Sequence, residues 1–205
     1  MAKRKAVALV LRHGDTDAND DNVYRSRLDP PLNAKGRDQA EDAVQYIKDN
    51  YDVDRIVTSP LLRAVHTADI CGDALDLEVE QDRGLISWAL GFLTGKDKDL
   101  YGFILDWFVD NPEKTPPEGE SLDDLEERTE DFFDYELKHR KGLTLYVTHS
   151  SNILTLGNLF DENATGRQEA EELVGPGGVM VVYETEDGYE LEAVFGKEVN
   201  NEFGS

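Results

Sequence analysis

The chain has 205 residues, of which 39% are hydrophobic and 9% aromatic, enough apolar material for the core of one domain. Acidic residues number 44 against 21 basic ones, and the resulting net charge of −23 argues against a nucleic-acid partner. No apolar run approaches the roughly 18 residues that cross a bilayer, so a membrane role is not expected. The basic start MAKRK is not followed by a cleavage site of small residues, which favours a cytoplasmic location.

The acidic excess raises the hypothesis of a salt-adapted host. A surface of one sign repels itself, and dissolved salt screens that repulsion. An ordinary acidic cytosolic protein is the alternative. The sequence also leaves the oligomeric state open, with a homodimer among the options, while the single cysteine, Cys71, excludes an internal disulfide.

In the first part of the chain, apolar strands alternate with helices. The run KAVALVL at 5–11 is almost continuously apolar, which is typical of a buried parallel strand. Asn33 is a suitable cap for the helix that follows, and Ser59 with Pro60 predicts the cap and first position of another helix. The predicted strands are 5–11, 55–58 and a weak one at 75–79, and the predicted helices are 33–51 and 60–74.

The segment 83–120 is rich in Gly and Pro and has one predicted helix, at 97–109, which is typical of a cap over a site. Ser121 and Asp124 then resemble a capping box, and Glu186-Asp187-Gly188 predicts a hairpin turn. The remaining predicted elements are helices 121–137 and 151–160 and strands 143–148, 179–184 and 189–195. This order predicts one domain over 1–205, an α/β fold with three α/β/α layers, a mostly parallel central sheet, a short cap insertion and a C-terminal hairpin.

Cationic and imidazole side chains follow the predicted strands. Arg12 and His13 end the first, Arg63 lies in the helix after the second, and His149 follows the strand at 143–148. Ligands of open parallel sheets bind beyond the carboxyl ends of the strands, so these groups are expected to converge. Two arginines and two imidazoles around one point form an anion site, since a guanidinium grips phosphate through two hydrogen bonds.

These residues belong to a longer series of motifs. Residues 12–19, RHGDTDAN, are followed in order by matching blocks at 29–40, 59–68 and 117–121 and by Thr148-His149. In type and spacing the series resembles the histidine phosphatase superfamily, also called the phosphoglycerate mutase-like family. The resemblance covers about residues 7–160.

The resemblance implies a role for each residue. His13 would attack phosphorus as a neutral nucleophile and form a phosphohistidine. Arg12, Arg63 and His149 would bind the oxygens and stabilise the transition state. Contacts to the substrate would come from Thr16, Asn19 and Ser26. Ser150 stands where the family commonly has glycine, and its hydroxyl would add a further contact. No metal or organic cofactor is implied, and the expected partner is a phosphorylated small molecule or a phosphoprotein.

The general-acid position also departs from the family pattern. Relatives carry a general-acid glutamate before two spaced glycines, and Ser87 stands there in this chain. A hydroxyl is a poor proton donor near neutral pH, and general-acid help is worth about 10²- to 10⁴-fold. Glu120, Asp15 and Asp82 are the candidate substitutes. A missing acid favours leaving groups that need little protonation, such as acyl phosphates, phosphoanhydrides or protein phosphohistidine.

A phosphatase acting through His13 is therefore the predicted function. The segment 83–120 lacks the paired arginines that would hold a second carboxylate and phosphate, which disfavours a phosphoglycerate-type mutase without excluding it. A pseudoenzyme that binds phosphate but turns over poorly is the other alternative, because of Ser87.

Overall fold

The computed structural model describes residues 4–19, 21–160, 174–186 and 188–196. The strands are β1 (Lys5–Arg12), β2 (Arg55–Thr58), β3 (Val79–Gln81), β4 (Thr144–Thr148), β5 (Val179–Glu184) and β6 (Tyr189–Phe195). The helices are α1 (Ala34–Asn50), α2 (Leu62–Leu75), α3 (Lys98–Asp110), α4 (Leu122–His139) and α5 (Ser150–Phe160). Short 3-10 helices lie at Asp17–Asn19, Arg83–Leu85 and Gly91–Leu93. Within the described ranges, no helix is both long and apolar enough to cross a membrane.

The strands form one sheet in the order β3-β2-β4-β1-β5-β6. The first four are parallel, whereas β5 pairs with β1, and β6 with β5, in antiparallel fashion. The predicted mostly parallel sheet and terminal hairpin are confirmed. Thr185 N donates to Gly188 O at 2.9 Å in the hairpin turn, and residue 187 of the predicted turn lies outside the described residues.

Each face of the sheet carries its own hydrophobic core. Leu9 and Leu11 of β1 pack with residues of α1 and α2, while Ala8 and Val10 pack on the other face with residues of α4 and α5. Successive side chains of a strand point to opposite faces, so a strand covered on both sides is apolar at nearly every position. The three-layer prediction is therefore confirmed, and the apolar run of β1 follows from it.

The segment 83–120 contributes a smaller, separate core. Trp88, Leu93 and Phe108 pack there with residues that begin α4. The loop after β1 is joined to this segment, since Tyr24 N donates to Lys96 O at 2.9 Å. The segment thus lies against the same loop that leaves the first strand, although its role as a cap stays a prediction.

Two predicted helix caps are confirmed. Asn33 Oδ1 accepts a hydrogen bond from Gly36 N at 2.8 Å, which starts α1. At α4, Ser121 Oγ accepts from Asp124 N at 3.0 Å and Asp124 Oδ2 accepts from Ser121 N at 2.9 Å, a reciprocal capping box.

Two predicted boundaries are wrong. Helix α2 begins at Leu62 with Leu61 as its cap residue, rather than at Pro60 with Ser59 as cap. The Ser59 hydroxyl accepts a hydrogen bond from Leu61 N at 3.3 Å and also lies 2.7 Å from His149 Nε2. The predicted strand at 75–79 starts only at Val79, because α2 continues through Leu75 and ends at Asp76 in the left-handed conformation, with φ 56°.

Candidate active site

Backbone hydrogen bonds fix three strand ends side by side. His13 N donates to Thr148 O at 3.0 Å, and Ser59 N donates to Val147 O at 2.9 Å. These bonds extend the pairing of β1 and β2 with the central β4 beyond the last strand residues. The side chains of His13, Ser59 and His149 therefore leave the sheet at the same edge.

The two nitrogens of the His13 ring have different partners. Nδ1 lies 2.7 Å from Gly14 O, a carbonyl that can only accept, so Nδ1 carries the proton. Nε2 then holds a lone pair, and it accepts a hydrogen bond from Arg63 Nε at 3.1 Å. The lone pair of the neutral His13 ring is thus directed at the guanidinium of Arg63.

The second imidazole lies next to the first. The ring centroids of His13 and His149 are 5.1 Å apart, with an interplanar angle of 59°. His149 Nε2 lies 2.7 Å from Ser59 Oγ. Its Nδ1 is buried and has no hydrogen-bond partner among the described residues. If Ser59 donates to Nε2, then Nδ1 carries a proton that is available to an anion.

The Arg63 guanidinium is fixed by the loop that follows β1. Its Nη1 donates to Leu28 O at 2.6 Å and its Nη2 to Ser26 O at 2.9 Å. Ser26 adopts a positive φ of 48°, which turns its carbonyl toward this contact in the tight loop. Burial, aided by the nearby positive charge of Arg25, lowers the pKa of Arg63 to about 10. An anion bound beside Arg63 would therefore stabilise its buried positive charge.

Burial also keeps both histidines neutral. His13 is 3% exposed and His149 2% exposed. Desolvation lowers the pKa of each well below the ordinary value, and the positive charge of Arg63 lowers both further. His13 therefore carries its lone pair at and below neutral pH, as a nucleophile requires.

The turn after His13 depends on glycine. A Cβ on Gly14 would lie 2.2 Å from Gly36 O, and a Cβ on Gly36 would lie 2.0 Å from Asp15 O. Both distances are far shorter than a van der Waals contact, so this loop and the start of α1 can approach only through two glycines. The approach fixes the Gly14 carbonyl that orients His13.

The predicted contact residues Thr16 and Asn19 form a cluster with Arg25. Asn19 Oδ1 accepts from Thr16 N at 3.1 Å and from Thr16 Oγ1 at 2.8 Å, and Arg25 Nη1 donates to the same oxygen. Ser26 lies deeper in the loop, where its hydroxyl bonds Trp88 O at 2.8 Å. Ser150 begins α5 directly after His149.

Arg12, the other predicted guanidinium, donates through Nη1 to Val174 O at 2.9 Å. The positive charge of Arg12 contributes to the lowered pKa of both His13 and His149. The structure therefore brings together all four residues that the sequence assigned to catalysis.

The candidate proton donors are placed differently. Asp15 is buried, with Oδ2 accepting from Lys35 Nζ at 2.7 Å and Gln39 Nε2 at 3.2 Å, and Oδ1 accepting from Asn19. Asp82 caps a 3-10 helix by accepting from Gly84 N at 2.7 Å. Both carboxylates are thus engaged in holding backbone and loop structure.

Glu120 is held by two arginines. Its Oε1 lies 3.0 Å from Arg27 Nη2 and 2.9 Å from Arg128 Nη2, and it also accepts from Ala89 N at 3.0 Å. Paired in this way, the carboxylate ties the segment 83–120 to α4 and to the loop after β1.

Ser87 lies next to the start of α5. Ser87 Oγ is 3.4 Å from Ser151 Oγ, which also accepts from Trp88 N at 3.2 Å. Two hydroxyl groups, rather than a carboxyl group, therefore lie beside the residues that follow His149. Among the described residues, no cluster of His, Cys, Asp and Glu could hold a metal ion.

Sequence reasoning missed two residues of this site. Ser59, predicted only as a helix cap, also lies within hydrogen-bond distance of His149. Arg25 was not singled out, yet its charge acts on His13, His149 and Arg63. Its loop has no periodic pattern, and the one available signal is that it is a basic residue close in sequence to Arg12 in an otherwise acidic chain.

Comparison with known proteins agrees with this architecture. A sequence profile of the histidine phosphatase superfamily (branch 1) matches residues 8–195, so the chain belongs to this superfamily. A 2,3-bisphosphoglycerate-dependent phosphoglycerate mutase of Thermoplasma acidophilum is 29% identical over 184 residues, covering 89% of this chain and 88% of the relative. A protein of the same name from Nitrobacter winogradskyi is 31% identical over 190 residues, with 85% and 89% covered.

Solved structures show the same fold. A mycobacterial glucosyl-3-phosphoglycerate phosphatase in complex with VO3 superposes with a TM-score of 0.77 at 24% identity, covering 94% of this chain and 99% of that one. The profile match confirms the predicted family, and the structural match confirms the predicted fold class.

Proposed function

We propose that the protein is a phosphatase that hydrolyses a phosphorylated substrate through a phosphohistidine on His13. The arrangement of the His13 ring carries the proposal. Nδ1 is held as a donor by Gly14 O, at 2.7 Å, so the lone pair resides on Nε2. That atom faces Arg63 Nε at 3.1 Å, in the centre of the buried cationic cluster.

In the first step, the lone pair of Nε2 forms a bond to phosphorus and the bond to the leaving oxygen breaks. Arg63 exchanges its hydrogen bond to Nε2 for one to a phosphoryl oxygen, which frees the nucleophile as the substrate binds. Arg12, Arg63 and the Nδ1 proton of His149 stabilise the negative charge on the oxygens in the transition state.

In the second step, water attacks phosphorus and the bond to Nε2 breaks. Nε2 recovers its lone pair. One proton of the water passes to solvent or to the leaving-group oxygen that was released in the first step. His13 must be neutral when Nε2 attacks, and the lowered pKa of the ring provides that state.

A mutase is the second candidate, favoured by the mutase names of the two relatives described above. A mutase returns the phosphoryl group from the histidine to a second hydroxyl, whereas a phosphatase releases it to water. Incubation with 3-phosphoglycerate, with and without 2,3-bisphosphoglycerate, separates them. We expect release of inorganic phosphate to exceed interconversion of the 2- and 3-phosphate isomers.

Rapid quenching tests the central step. With para-nitrophenyl phosphate, we expect a burst of nitrophenol, and an acid-labile phosphoryl group that mass spectrometry places on the peptide containing His13. His13→Gln should lose both, while His139→Gln, the same change at an exposed histidine, should keep both. Phosphate binding without any burst would indicate a pseudoenzyme, and turnover that survives His13→Gln would contradict the proposal.

A further inference from the structure

Ser59 holds a hydroxyl group against the second imidazole of the site. Its backbone N donates to Val147 O at 2.9 Å, which fixes the residue at the end of β2, beside the strand that leads to His149. Its Oγ accepts a hydrogen bond from Leu61 N at 3.3 Å and lies 2.7 Å from His149 Nε2. Pro60 has no backbone N–H, so Leu61 supplies the first backbone donor after Ser59. The hydroxyl oxygen is therefore held by two contacts, one to the backbone and one to the ring.

The neutral ring of His149 has one proton, which can lie on either nitrogen. If the proton is on Nε2, it is donated to the Ser59 oxygen, and the hydroxyl proton of Ser59 has no acceptor among the described residues. The buried Nδ1 then also keeps an unpaired lone pair. If the proton is on Nδ1, the Ser59 hydroxyl donates to Nε2, and only the Nδ1 proton lacks a partner in the described part of the chain. Because an unmade hydrogen bond of a buried polar group is costly, the second arrangement is the more stable one.

This count of hydrogen bonds depends on a ring that is buried and neutral. Ser59 is 0% exposed and His149 2% exposed, so bulk water does not supply the missing partner. Burial lowers the pKa of His149 well below its ordinary value, and the positive charge of Arg63 lowers that pKa further. The ring of His149 therefore carries a single proton at neutral pH.

From these contacts we infer that Ser59 is a positioning residue, whose hydroxyl donates to His149 Nε2 and so places the ring proton on Nδ1. The ring that carries this proton lies beside the nucleophile, since its centroid is 5.1 Å from that of His13. With the opposite tautomer, Nδ1 would offer a lone pair where the transition state requires a donor to the phosphoryl oxygens. The inference rests on the proposed function, in which His149 donates to those oxygens, and adds the residue that makes it a donor.

Proton–nitrogen NMR correlation spectra of protein with isotope-labelled histidine measure the tautomer directly at neutral pH. We expect the wild-type ring of His149, assigned by the loss of its signals in His149→Ala, to carry its proton on Nδ1. A wild-type proton on Nε2 would overturn the inference without the need for any variant of Ser59.

Ser59→Ala removes the donor to Nε2 and leaves both ring nitrogens without a protein partner, so we expect a mixture of the two tautomers. Ser121→Ala is the matched control, because it removes a buried hydroxyl that accepts a hydrogen bond at a helix start without contacting a histidine. It should leave the His149 signals unchanged. A His149 ring that keeps one tautomer with the proton on Nδ1 in Ser59→Ala would overturn the inference.

A double-mutant cycle with His149→Ala separates positioning from a structural role. In the wild-type background, Ser59→Ala should lower kcat for para-nitrophenyl phosphate by about tenfold to hundredfold, the range for partners that orient an imidazole in metal sites. In the His149→Ala background, the same change should cost less than about threefold. Equal effects in the two backgrounds would overturn the inference. The tautomer is read without turnover, so a failure of the proposed function, seen as no phosphohistidine at His13, is a separate result.

Discussion

The carboxyl edge of the sheet and the outer surface of the molecule carry opposite charge. At the edge, Arg63 contacts the buried ring of His13, and the positive charges of Arg12 and Arg25 also lower the pKa of both buried imidazoles. On the outside, helix α4 alone contains eight acidic residues. The buried charges are positioned by backbone hydrogen bonds and by low-dielectric surroundings, so each one can have a chemical role. The exposed charges are diffuse and open to screening, so they influence stability and solubility instead.

Removing a buried positive charge should have the largest effect. Arg63→Gln should lower kcat/KM for para-nitrophenyl phosphate by about 10²- to 10³-fold, the usual loss for one donor to transition-state charge. Steady-state kinetics measure it, with Arg37→Gln as the exposed control. A loss of less than about tenfold would show that the buried cluster is not where the phosphoryl group binds.

Screening should act on the outer surface. We expect the melting temperature to rise by at least about 5 °C between dilute buffer and about 2 M KCl, as repulsion among surface carboxylates is relieved. The triple variant Glu127→Gln, Glu130→Gln, Asp131→Asn removes three exposed charges of α4 and should show a smaller rise. A melting temperature independent of KCl would remove the hypothesis of salt adaptation.

Acid should lower the stability of the fold through the buried histidines at the carboxyl edge of the sheet, at a pH above that at which the surface carboxylates are protonated. Because the pKa of His13 and His149 is lowered in the folded state, the unfolded chain binds more protons below about pH 6.5, and stability falls as pH falls. Each histidine should contribute about 1–2 kcal/mol of loss by about pH 5.

Urea unfolding at pH 7 and pH 5 measures this dependence. The difference in unfolding free energy should shrink in His149→Gln and persist in His139→Gln, where the replaced ring is exposed. An identical difference in the wild type and His149→Gln would contradict the assignment of a buried neutral ring.

Glu120 lies at the boundary of the two regions, and its substitution should have the smallest effect. Glu120→Gln keeps an oxygen for Ala89 N, so we expect a loss below about tenfold on both aryl and alkyl phosphates. A loss of about 10²-fold or more that is confined to the alkyl phosphate would identify Glu120 as the general acid.

The parts of this account that sequence predicted well are those with local signals. The apolar runs of β1 and β4 fix where His13 and His149 leave the sheet, and side-chain capping by Asn33 and Ser121 marks two helix starts. The capping box at α4 depends only on residues three apart. Such features can be predicted because residues close in sequence form them.

What could not be predicted depends on contacts between distant residues. Ser59 has the sequence of a helix cap, but its hydroxyl is closer to the ring of His149, ninety positions away. Likewise, Arg25 lies near the site only because the next residue of its loop, Ser26, accepts a hydrogen bond from Arg63 through its carbonyl. No sequence pattern within either segment predicts these contacts.

A crystal structure of the protein with bound vanadate would show where the phosphoryl group binds. We expect vanadium bonded to His13 Nε2, with oxygens contacted by the guanidinium groups of Arg12 and Arg63 and by His149 Nδ1. Vanadate bound elsewhere, or bound at this edge with Nε2 turned away from the metal, would contradict this expectation.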